Sequence, residues 1–121
     1  MKLNHINLPV SDVEASTNFF ETYFNFTCIE RKGANLIAIL QGTDGFMLVL
    51  MAASFNSNGI MAFPDAFHIG FFKDSREEVT EIYNRLSAAG FATRAPASIR
   101  GGYGFYFNAP GDILTEVTTY N

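Results

Sequence analysis

Residues 5–10 alternate in character. Ile6, Leu8 and Val10 fall on one side of an extended chain, and His5 and Asn7 fall on the other. A helical spacing follows, with Val13, Phe20, Tyr23 and Phe24 on one stripe and Asn25 as the stop. Three short apolar runs come next, at 26–30, 36–40 and 46–51, separated by Lys32-Gly33 and Thr43-Asp44-Gly45 turns. The same order then returns. Phe67, Ile69 and Phe71 alternate with His68 and Gly70. Val79, Ile82, Tyr83, Leu86 and Ala89 form a helical stripe that ends at Gly90. Strand-like runs at 92–96, 103–108 and 113–120 complete the second series, the last two joined by Ala109-Pro110-Gly111-Asp112. Each helix is introduced by Ser-x-x-Glu, at Ser11…Glu14 and Ser75…Glu78, which predicts a capping box at both starts.

The two series are 63 residues apart at the His-Ile pairs and 65 apart at the helix stops. The expected fold is therefore α+β: two tandem βαβββ modules, about 1–52 and 65–121, with 53–64 as linker. Together they are expected to form a single domain over 1–121, a cupped, partly open mixed sheet with helices on the outer face. In that arrangement His5, Asn7, His68 and Gly70 face away from the helices. Leu114, Glu116 and Thr118 do the same if Ile113, Thr115, Val117 and Thr119 face inward.

This phase brings chemistry into the picture. His5 and His68 are the only two histidines of the 121 residues, and they occupy matching places in the repeat. Two neutral imidazoles and the Glu116 carboxylate on one face make a candidate site for a divalent metal, with positions left for water or substrate. Taken singly, each reads first as an ordinary strand residue, and only the three together point to a metal. The rest of the composition narrows the alternatives. The formal charge is −4, and eight basic residues are dispersed along the chain, so nucleic acid is not an expected partner. No apolar run approaches the roughly 18 residues of a membrane span. A single cysteine, Cys28, forms no internal disulfide and suits a reducing, cytoplasmic setting. Thirteen phenylalanines and no tryptophan serve a packed core or an apolar pocket equally well.

Two segments carry a family likeness. Asn4-His5-Ile6-Asn7-Leu8-Pro9-Val10-Ser11-Asp12 stands near the start. Gly104-Phe105-Tyr106-Phe107-Asn108-Ala109-Pro110-Gly111-Asp112-Ile113-Leu114-Thr115-Glu116 stands near the end. With the duplicated modules, they resemble the vicinal oxygen chelate superfamily of glyoxalase I, extradiol dioxygenases, fosfomycin-resistance proteins and bleomycin-resistance proteins. The second segment departs from the family signature at its turn, which reads Ala-Pro-Gly-Asp instead of Asp-Pro-Asp-Gly.

The resemblance implies that His5, His68 and Glu116 hold one divalent ion per site, Fe, Mn, Ni or Zn. The fourth strand, 46–51, offers no ligand. It implies a small oxygen-rich substrate chelated by the metal, and a homodimer. The reaction stays open among lyase or isomerase, dioxygenase and transferase chemistry: there is one carboxylate, no third histidine, and the stretch at 101–104 is unlike the cation loop of fosfomycin-type proteins. The alternative is a metal-free small-molecule binder of the bleomycin-resistance type. Tyr106, in phase with Glu116, is a candidate proton donor beside Glu116 as catalytic carboxylate. Asn7 and Arg100 are candidates for substrate contacts, although Arg100 reads first as a solvated loop residue. Cys28 reads as a packed apolar residue, and Met47, Met51 and Met61 as core or pocket lining.

Overall fold

A computed structural model describes residues 1–58 and 63–121. Met61 and part of the expected linker lie outside the described residues. The chain divides into two compact units, Met1–Ala62 and Phe63–Asn121. Each is a βαβββ module, so the architecture is the α+β pair of modules expected from the repeat.

In the first unit β1 (His5–Val10) leads into α1 (Val13–Tyr23). Strands β2 (Thr27–Lys32), β3 (Ile37–Gln41) and β4 (Met47–Ala52) follow. The sheet order is β1-β4-β3-β2, with β1 parallel to β4 and the other pairs antiparallel. Leu8, Val10, Ala38, Leu40, Leu48 and Leu50 are buried on one face, with Val13, Phe19 and Phe20 of α1 buried among the core residues of this unit. The helix begins one residue later than the Ser11 box predicts. Asp12 is the cap and its carboxylate accepts from the Ala15 N–H at 3.0 Å. A carboxylate satisfies the free amides as a hydroxyl does and also opposes the positive end of the helix, so Asp12 displaces Ser11 from the role. The Glu14 N–H is taken by Asn35 Oδ1 at 2.8 Å instead of closing a box. The helix stop falls at Asn25, with φ +57°. Strand β2 is an edge strand broken by a bulge between Cys28 and Glu30, and Cys28 is half-buried there.

The second unit repeats the plan with β5 (Ile69–Phe72), α2 (Arg76–Ala88), β6 (Ala97–Ile99), β7 (Gly102–Ala109) and β8 (Ile113–Thr119). Its order is β5-β8-β7-β6, with β5 parallel to β8. Here Ser75 caps the helix and Glu78 reaches back as in a capping box, with its return bond on the residue before the cap. The Glu78 N–H donates to Ser75 Oγ at 3.2 Å, and Glu78 Oε2 accepts from the Asp74 N–H at 3.1 Å. At the other end Phe91 N–H reaches Leu86 O and Gly90 N–H reaches Ser87 O, a Schellman closure around Gly90 at φ +87°. Val79 and Leu86 of the helix are buried, as are Phe105, Phe107, Ile113 and Val117 of the strands.

The strand expected at 92–96 is instead β6, at 97–99. Pro96 has no N–H to give a ladder and restrains the residue before it, so pairing starts after it. The register is then set by a two-residue turn, Arg100-Gly101, at φ +43° and +79°, which pairs Ile99 with Gly102. No helix among the described residues is long and apolar enough to cross a membrane.

Candidate functional site

Alternation along the second sheet determines what its open face carries. Glu116 on the central strand β8 lies between Gly70 on β5 and Tyr106 on β7 in the strand register. His68 stands two residues before Gly70, just ahead of β5. Ile113, Thr115, Val117 and Thr119 are all buried, and so are Glu116 and Thr118 at the alternate positions of β8.

Glu116 is only 4% exposed. A carboxylate so far from water needs positive or donor partners. It has two. Arg100 Nη2 donates to both of its oxygens, at 2.7 and 2.8 Å, and His68 Nε2 lies 3.4 Å from Oε2. Arg100 Nη1 also donates to the Tyr106 hydroxyl at 3.1 Å, and the His68 and Tyr106 rings meet edge-on at 5.7 Å. These hydrogen bonds, to Tyr106 first and then to Glu116, raise the guanidinium's proton affinity above the ordinary arginine range. The guanidinium itself therefore stays charged throughout the ordinary arginine range and gives up its proton only as pH rises through the raised value.

The His68 ring is oriented from behind. Nδ1 lies 3.1 Å from the Ala66 carbonyl, which only accepts, so the geometry assigns a proton to Nδ1. In the neutral ring Nε2 then presents a lone pair toward a carboxylate oxygen. Two facing acceptors are satisfied by a second ring proton or by a cation between them. An imidazole nitrogen and a carboxylate are also the donor types that a borderline divalent ion takes.

Arg100 reaches the cluster from an unusual backbone. It occupies the first central position of the β6–β7 turn, where Asn, Asp or Gly is favoured, and a residue with a Cβ there costs roughly 1–2 kcal/mol. Positions 102 and 104, which share the Tyr106 face of β7, are both glycine, so no side chain stands between the turn and Tyr106. At Gly70 an added Cβ meets nothing within 4 Å, so there is open space beside Glu116.

The structure thus brings His68, Tyr106, Arg100 and Glu116 together in the second unit. His5 and Asn7 lie in the first unit, exposed on the face of β1 turned away from α1. His5 Nδ1 is 2.6 Å from Asn4 Oδ1, and Asn7 Nδ2 is 4.0 Å from Met51 Sδ. Their strand neighbours on β4 are Met47 and Val49, so that strand brings no ligand. Among the described residues, neither unit by itself gathers three His, Cys, Asp or Glu side chains able to hold a metal. The Arg100–Glu116 pair escaped the sequence reading. Its signal was an Arg-Gly pair placed between two strands where a two-residue hairpin turn calls for Asn-Gly.

A sequence profile described as the Glyoxalase/Bleomycin resistance protein/Dioxygenase superfamily matches residues 2–117, and the chain belongs to that superfamily. A solved structure of a possible glyoxalase from Bacillus cereus is similar at 38% identity and TM-score 0.84, covering 97% of each chain. An uncharacterized protein of Pseudomonas aeruginosa is 30% identical over 109 residues, 86% of this chain and 76% of that one. A fosfomycin resistance protein from Listeria monocytogenes superposes with TM-score 0.79 at 25% identity, over 98% of this chain and 93% of that one.

Proposed function

We propose that this chain is a divalent-metal-dependent enzyme acting on a small, oxygen-rich molecule, of the lyase, dioxygenase or transferase kind. His68 and Glu116 are assigned as ligands, and the family resemblance adds His5 as the third. The reading is carried by one observation: the buried Glu116 oxygen faces His68 Nε2 at 3.4 Å while the other ring nitrogen is held by a backbone carbonyl. A bound Fe, Mn, Ni or Zn ion would supply Lewis acidity toward two adjacent substrate oxygens. The protein's own groups do the rest. Tyr106 accepts a hydrogen bond from Arg100, so its hydroxyl proton is free to be donated to a substrate oxygen. Glu116 is the carboxylate available to hold a proton at the reacting centre. Asn7 orients substrate from β1. The assembly is proposed to be a cytoplasmic homodimer.

The test is titration of protein stripped with chelator against Fe(II), Mn(II), Ni(II) and Zn(II), followed by calorimetry. One ion per chain is expected, with a loss of about 100-fold or more in affinity for His5→Ala, His68→Ala and Glu116→Ala at unchanged melting temperature. Absence of saturable binding in the unsubstituted protein overturns the reading.

A second reading, a metal-free binder of small molecules, is favoured by the Arg100 guanidinium already holding both Glu116 oxygens. It expects a cationic aromatic compound to bind equally with and without EDTA. Loss of that binding on chelation argues against it.

A further inference from the structure

We propose that Arg100 is a displaceable counter-ion. Its guanidinium holds Glu116 while no cation is bound, yields the carboxylate to an arriving divalent cation, and then receives an oxyanion group of the substrate. This inference rests on the metal-dependent reading above.

Three features support it. First, Arg100 Nη2 is within 2.8 Å of both Glu116 oxygens, the atoms a cation would take. A buried carboxylate left alone is costly, so some positive partner must be present in the cation-free state. Two positive groups at one carboxylate repel each other, so one displaces the other. Second, the two ends of the pair differ in burial. The Glu116 side chain is 5% exposed and that of Arg100 is 61% exposed. Release returns the guanidinium to water while Glu116 stays in place, so the arginine is the partner that moves. Third, the turn carries Arg at φ +43°, where Asn is the favoured residue, so the arginine is there for its side chain and not for the turn.

Charge then defines the ligand class. With Arg100 on Glu116 the pair is neutral. With a divalent cation on Glu116 and Arg100 freed beside it, the cluster is doubly positive. A dianionic oxyanion such as a phosphonate restores neutrality, and a carboxylate removes half of the excess charge. Cation and oxyanion therefore promote each other's binding, and the coupling is reciprocal.

The experiment uses the intact protein and its Arg100→Asn variant. Asn-Gly is the preferred pair for this turn, so the variant keeps the hairpin, which an unchanged far-ultraviolet circular dichroism spectrum verifies. Mn(II) affinity is measured by calorimetry and by the Mn(II) paramagnetic resonance signal, in chloride and in sulfate at equal ionic strength. In chloride, R100N is expected to bind Mn(II) about tenfold tighter than the unsubstituted protein, within the usual range of site coupling. Sulfate is expected to tighten Mn(II) binding severalfold in the unsubstituted protein and to leave R100N unchanged. Equal Mn(II) affinity in the two proteins overturns the counter-ion role and leaves the metal-dependent reading intact. An equal sulfate effect in both overturns the oxyanion assignment. Saturable binding in neither overturns the metal-dependent reading, and this inference falls with it.

Discussion

The two modules share one backbone plan and differ in what their open faces carry. In the strand register His5 corresponds to His68, Asn7 to Gly70, Val49 to Glu116 and Ile39 to Tyr106. The first sheet therefore presents Ile39, Met47, Val49 and Met51 where the second presents Tyr106 and Glu116. The faces beneath the helices differ in size but not in kind. The large side chains Phe19 and Phe20 come from α1, and the small Ala38 lies at the strand position equivalent to Phe105. In the second module α2 brings Val79 and Leu86, and the strands supply Phe105 and Phe107. Each core reaches its volume by a different division between helix and sheet. The lesson is that one face of each sheet maintains the fold, and the period of two leaves the opposite face free for chemistry. Only the second module uses that freedom for ionisable groups on its central strand.

The comparison is most sharply tested at position 104. Its counterpart in the first module is Ile37, yet a Cβ at Gly104 would lie 2.4 Å from the Val117 carbonyl oxygen and 2.9 Å from Thr118 Cα. Gly104→Ala is expected to cost roughly 1–3 kcal/mol, read as a lower denaturation midpoint, while Gly70→Ala, with open space around it, changes stability little. If both are neutral, the second sheet is no more tightly apposed than the first. The helix starts come next in size. Asp12→Ala and Ser75→Ala should each cost about 1 kcal/mol and Ser11→Ala almost nothing, by the same denaturant midpoints. A substantial Ser11 effect would restore the symmetric capping boxes. The smallest effect lies at the helix stops: Asn25→Gly gives the first module the residue of the second, and is expected to shift stability upward by a few tenths of a kcal/mol. A loss would mean that Asn25 has a side-chain role that Gly90 lacks.

Periodicity made the duplicated βαβββ plan legible, because each module buries one regular face and the stripes of both helices survive in the sequence. The stops at Asn25 and Gly90 were equally legible, since positive φ restricts the choice of residue. Capping at Asp12 was less so: Ser11 and Asp12 are both good caps, and the choice between them depends on where Asn35 approaches from β2–β3. The position of β6 depended on the register of a two-residue turn, which local apolarity at 92–96 obscured. At the site, the strand register puts Glu116 beside Gly70 and Tyr106, residues that the alternation of β5 and β7 also assigned to that face. The arginine that occupies its oxygens was invisible to alternation, because it enters from a turn, where side-chain direction follows φ and not a period of two.

In each module the first strand pairs with the last, so the sheet order differs from the order of synthesis. The consequence shows in the timing of assembly on a ribosome. The first sheet has every partner once residue 52 has left the exit tunnel, and it can close while the second is still being made. The second sheet has β8 between β5 and β7. It stays a set of separate pieces until the strand bearing Glu116 arrives. The ionisable cluster therefore assembles only with the last strand of its module, after the first module has all of its own strands.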